Sequence, residues 1–135
     1  EAKPGFANLL VWKVVYEYDG HYYVDAIRTG VVPKAYPGVR AEKLNLGRHL
    51  PWLVSGTTQA EDVERFRWFS NDYLAIQDGN EVIDVRYSMV PNEIVPLWGI
   101  RLDPQADPDQ HVGYFTFRRA EPEQAERLLN MLQGN

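Results

Sequence analysis

The chain is 135 residues long, with 44% hydrophobic and 24% charged side chains, a composition that excludes intrinsic disorder and fibrous repeats and suits one core of ordinary domain size. Its 14 basic and 19 acidic side chains leave a net charge of −5, which opposes the phosphate neutralisation behind nonspecific nucleic-acid binding, so no nucleic-acid partner is expected. The absence of cysteine excludes disulfides, thiolate zinc sites and cysteine nucleophiles, and no apolar run nears the ~20 residues of a transmembrane segment.

Glu1 opens the chain without an initiator Met and Pro4-Gly5 follows, so residues 1–6 read as a linker or fragment boundary ahead of one domain. Residues 9–18 are rich in β-branched and aromatic side chains, and a period of two places Leu10, Trp12, Val14, Tyr16 and Tyr18 on one face of a strand. Asp19-Gly20 carries tight-turn chemistry, and residues 21–28 supply the partner strand of a hairpin. Residues 30–56 hold Pro33, Pro37 and Pro51 with little periodicity; so long a structureless loop is rare, and a short strand or helical turn is expected inside it.

Thr58 followed by Glu61 has the spacing of a capping box, and Val63 and Phe66 follow at helical spacing, which predicts a short helix over about 59–68. Residues 72–77 and 81–89 flank Asp78-Gly79-Asn80 as a second hairpin, with Ile83, Val85, Tyr87 and Met89 on one face. Residues 97–102 and 111–118 form a third strand pair across an acidic, Pro-rich loop. Pro122 suits the first turn of a helix whose apolar stripe is Ala125, Leu128, Leu129 and Leu132, ending near Gly134. The expected fold class is α+β: a curved, partly barrel-like antiparallel sheet of about six strands, a short mid-chain helix and a C-terminal amphipathic helix.

Chemical motifs are sparse. His21, His49 and His111 belong to no HExxH or HxxxH pattern, so each reads as an ordinary strand or surface histidine rather than a metal ligand. His21 and Asp25 share a strand face but lie ~13 Å apart along it, too far to touch. Asp103, Asp107 and Asp109 crowd one loop that lacks the glycine and bidentate glutamate of an EF-hand and reads as solvated. No serine sits in a GxSxG elbow, and no Gly-rich phosphate loop is present. Gly113 to Phe117 is faintly like the aromatic strand of an RNA-recognition motif, but a core strand suits the acidic chain better. Asp84 and Arg86 fall on one strand face, opposite Ile83, Val85 and Tyr87. They read as an ion pair on the sheet surface or, if that face is covered, as a structural clamp or ligand anchor.

The stretches Phe66-Arg67-Trp68-Phe69-Ser70-Asn71-Asp72-Tyr73, Val82-Ile83-Asp84-Val85-Arg86-Tyr87-Ser88-Met89 and Pro96-Leu97-Trp98-Gly99-Ile100 resemble the C-terminal region of the YdjM-like family. These are bacterial inner-membrane-associated proteins assigned as metal-dependent hydrolases. Phe6 to Val15 is similar to the segment that follows the last membrane helix there. The resemblance implies an inner-membrane parent whose histidine-bearing metal site lies in an N-terminal membrane part, outside this chain. On that basis no cofactor is expected in the chain itself, although a divalent metal belongs to the parent. The expected partners are the membrane part of the parent and a protein or small-molecule ligand.

The leading expectation is an extramembrane accessory or recognition domain with no catalytic residue and no metal ligand of its own. Trp68, Asp84, Arg86, Tyr87 and His21 are its candidate binding residues. The same five carry the rival reading, in which the domain contributes to a hydrolase active site. A third reading makes it a structural cap on the membrane part.

Overall fold

The computed structural model describes residues 1–5, 9–117, 119 and 121–135. Phe6 to Asn8, which open the stretch similar to a post-membrane segment, lie outside them, as does Arg118, the last residue of the predicted strand 111–118. The elements run β1 (Ala2–Pro4), β2 (Val11–Tyr18), β3 (His21–Arg28), β4 (Lys34–Lys43), α1 (Leu46–His49), α2 (Thr58–Phe69), β5 (Leu74–Gln77), β6 (Glu81–Asp84), β7 (Trp98–Arg101), β8 (Gly113–Thr116) and α3 (Pro122–Gln133). The strands form one antiparallel sheet in sequence order, β1 at one edge and β8 at the other.

The fold is α+β as expected, but the sheet has eight strands rather than about six, and it stays open rather than closing as a barrel. The two additional strands arise where periodicity is weak, and one of them, β4, lies with α1 inside residues 30–56, where a short strand or helical turn is expected. Ala2–Pro4, in the segment read as linker, pairs with β2, and the Glu1 ammonium donates to Val15 O at 2.6 Å. Strand β4 pairs with β3 over most of its length but with β5 only at Glu42 and Lys43, and Asn92 reaches its outer side at Pro37. The strand's exposed residues show no apolar alternation, and Pro37 sits with Gly38 at a register shift opposite Asp25, a bulge that tolerates the missing amide.

The sheet curls. Val15 and Tyr22 of β2 and β3 share one apolar cluster with Ala75 and Ile83 of β5 and β6, with Phe115 of β8 packed against it. On the opposite face, Val63 and Phe66 of α2 pack with Leu44, Leu50, Leu74, Val82 and Ile100. Strand β6 is therefore covered on both sides, and all of its residues are buried. Gly99 is required here, because a Cβ would lie 2.5 Å from the Phe115 ring and 2.9 Å from Val82 O.

Three details depart from expectation. The α2 cap is Thr57, not Thr58: Thr57 has the extended backbone of a cap and its hydroxyl accepts from Ala60 N at 3.4 Å, whereas the Thr58 amide donates to Pro108 O. On β2 the buried face is Val11, Lys13 and Val15, and the aromatic face of Tyr16 and Tyr18 is exposed. On α3 the buried residues are Gln124 and Met131, while Leu129 of the predicted stripe is exposed.

Candidate functional site

Asp84 ends β6 and is wholly buried. Its Oδ1 accepts from the Arg86 backbone amide at 3.0 Å and from Arg86 Nε at 2.9 Å, and its Oδ2 from Arg86 Nη2 at 2.7 Å and Trp98 Nε1 at 3.2 Å. Arg86 Nη2 also donates to Phe69 O at 3.0 Å, satisfying a terminal carbonyl of α2 where the helix dipole favours a cation. The hydrogen bonds it donates to Asp84 raise the Arg86 pKa above its already high value. Tyr87 packs on Trp98 at 5.1 Å between centroids, and its hydroxyl accepts from Lys3 Nζ at 2.7 Å. Of the five residues singled out in the sequence, the fold thus joins Asp84, Arg86 and Tyr87. Because α2 covers the carboxylate, the arrangement is the buried clamp rather than the surface ion pair.

Trp68 and His21 lie elsewhere. Trp68 projects from α2 at 87% exposure. His21 faces Glu42, which faces Ile76, which faces Val82, so three inter-strand spacings, about 14 Å, separate it from β6. Its Nδ1 is 2.8 Å from Asp19 O at the hairpin turn.

A second polar group was not visible in the sequence. Lys13 is buried, and its Nζ donates to Ser88 Oγ at 2.8 Å and to Glu93 O at 2.6 Å. Burial pushes its pKa down to about 7, against the pull of the Asp84 and Glu93 carboxylates. Glu93 in turn accepts from Gln124 Nε2 at 2.8 Å and pairs with Arg127, which ties α3 to the sheet. The available signal was a lysine between Val11 and Val15 on an alternating strand.

A concavity lies elsewhere, between α2 and the β7–β8 edge. It is a groove of about 450 Å³ lined by Asp62, Arg65, Phe66 and Phe69 of α2, Ile100 of β7, and His111, Val112 and Tyr114. Asp62 Oδ2 lies 2.8 Å from His111 Nδ1 and accepts from the Val112 amide at 3.1 Å, while Asp62 Oδ1 accepts from Arg65 Nη1 at 2.6 Å. A carboxylate only accepts, so Nδ1 is the donor, and Nε2 of the exposed imidazole has no hydrogen-bond partner among the described residues. The sequence gives no sign of this pairing, because 49 residues separate His111 from Asp62 and only the fold brings them together.

No protein-family model, curated protein or solved structure matches the chain. Among the described residues, no group of three or more His, Cys, Asp or Glu side chains could hold a metal ion, and no helix is long and apolar enough to cross a membrane.

Proposed function

We propose that the chain is an accessory recognition domain of a larger membrane-associated hydrolase, and that it binds its partner at the groove between α2 and β8. One contrast carries this reading. The charges of the clamp and of Lys13 have internal partners, whereas the groove leaves Phe69 55% and Tyr114 63% exposed. Aromatic side chains around a concavity are the usual anchors of a binding surface. The inner-membrane parent and its metal chemistry rest on the sequence resemblance alone.

The His111–Asp62 pair favours one rival reading, a general base contributed to a hydrolase site, with Asp62 orienting the imidazole. Profiling the 135-residue chain against esters, phosphoesters and amides with added Mg²⁺, Mn²⁺ or Zn²⁺ separates the two. Absence of turnover is the expected result. Turnover that disappears in both His111→Ala and Asp62→Ala would replace recognition with catalysis.

A further inference from the structure

The two edges of the sheet differ. Strand β1 spans three residues and carries Lys3 and Pro4, which are standard protections of an exposed edge. Strand β8, Gly113-Tyr114-Phe115-Thr116, has neither a charge nor a proline. Its hydrogen-bond phase follows from the Phe117 amide, which donates to Leu97 O at 3.0 Å. Counting back in twos, Phe115 and Gly113 face β7, opposite Gly99 and Arg101. The amides and carbonyls of Tyr114 and Thr116 therefore point away from the sheet. No hydrogen bond among the described residues occupies them.

That open edge is also the rim of the groove, since Tyr114, Val112 and His111 line it. A strand laid along β8 would place every second side chain on the groove side, beside Tyr114 and Thr116. Charge selects its character. Residues 111–120 contain His111, Arg118 and Arg119 and no carboxylate, in a chain whose net charge is −5, and Arg119 is exposed. A second copy of the chain suits the edge poorly. It would bring the same basic segment alongside, and a four-residue edge buries far less than the ~1,200 Å² typical of stable association.

We propose that β8 accepts an extended peptide as an antiparallel added strand, with acidic residues at the N-terminal end, beside Arg119, and apolar residues at alternate positions facing the groove. This rests on the recognition reading and names the class of partner.

The test uses the whole chain and a fluorescein-labelled peptide, Asp-Glu-Ile-Thr-Val-Ser-Phe-Thr, with Lys-Lys replacing Asp-Glu as control. Saturable binding of the acidic peptide is expected, together with slowed amide exchange at Tyr114 and Thr116 in the unmodified protein. Thr116→Pro removes only an outward amide and should weaken binding about ten-fold or more, as loss of one or two hydrogen bonds implies. Arg119→Glu should reverse the preference between the two peptides. No binding of the acidic peptide, or binding without protection of those amides, overturns the proposal. So does concentration-dependent dimerisation that Thr116→Pro abolishes, which would make a second copy the occupant. A displayed library of random dodecapeptides tests the underlying reading separately. Binders that lose affinity in Phe69→Ala but ignore Thr116→Pro would leave recognition standing and remove strand addition, whereas a library without binders would count against both.

Discussion

Lys13 Nζ stands 2.8 Å from Ser88 Oγ in the interior, joining β2 to the chain just beyond β6. Burial has pushed the Lys13 pKa from 10.5 down to about 7. The unfolded chain therefore keeps this proton up to about pH 10.5 while the folded chain releases it near 7. Between those values the unfolded state binds more protons, so this group makes stability rise with pH. Its cost is full below pH 7 and gone above 10.5. Lys13→Met should accordingly be more stable than the parent at pH 6, by about 1–4 kcal/mol, with the gap closing toward pH 10. Urea denaturation of both proteins at several pH values measures this. A variant less stable at pH 6 would mean that the bonds to Ser88 and Glu93 outweigh the burial of the charge.

The clamp should behave in the opposite way. Arg86→Ala strands a wholly buried Asp84 carboxylate and is expected to cost about 3–5 kcal/mol. In a double-mutant cycle with Asp84→Ala, the combined loss should fall short of the sum of the single losses by about 1 kcal/mol or more. Additive losses would show that the two side chains act independently.

Two adjacent threonines compete for the helix start. Thr57→Ala is expected to destabilise by about 0.5–1 kcal/mol, the low side of the range for a lost cap because the bond is long at 3.4 Å. Thr58→Ala should change stability by less than about 0.5 kcal/mol, since its side chain lies in the first turn and only its amide is used. Thermal denaturation of the pair decides which residue caps.

The two aromatic residues at the end of α2 should also separate. Trp68, at 87% exposure, is expected to tolerate Ser with a stability change within about 0.5 kcal/mol. Phe69→Ala should cost more, because its ring lies 6.2 Å from Phe66 and 5.9 Å from Trp98. If the groove is the recognition surface, Phe69→Ala also abolishes ligand binding, as read by fluorescence anisotropy.

Much of the architecture was legible from local chemistry. Asp19-Gly20 and Asp78-Gly79 take the positive φ values that their turn signals demand, and both hairpins form at these turns, although the arm expected over 81–89 ends as a strand at Asp84. The Asp84–Arg86 pairing was likewise visible, since the partners are two residues apart. What escaped notice depends on residues brought together over long separations or lacking apolar contrast. The length of residues 30–56 calls for a short strand or turn, and β4 and α1 lie there, but β4 is largely exposed and carries no apolar pattern from which to read its bounds. Lys13 is identified as interior only once Ser88 and Glu93, 75 and 80 residues away, are placed around it. Trp68 and His21 were chosen for residue type, and type alone does not bring side chains together.

Each strand's hydrogen-bonded neighbours are its neighbours along the chain, without a crossover. Most pairings can therefore nucleate over short loops and zip outward from the two Asp-Gly turns, with little entropy lost in any single closure. Among the exceptions are the polar ties from Lys3 to Tyr87 and from Lys13 to Ser88, which close loops of 84 and 75 residues, and the tie from Arg28 to Leu132, which closes one of 104. These ties should form late on the folding route, so weakening them should accelerate unfolding while leaving the refolding rate nearly untouched.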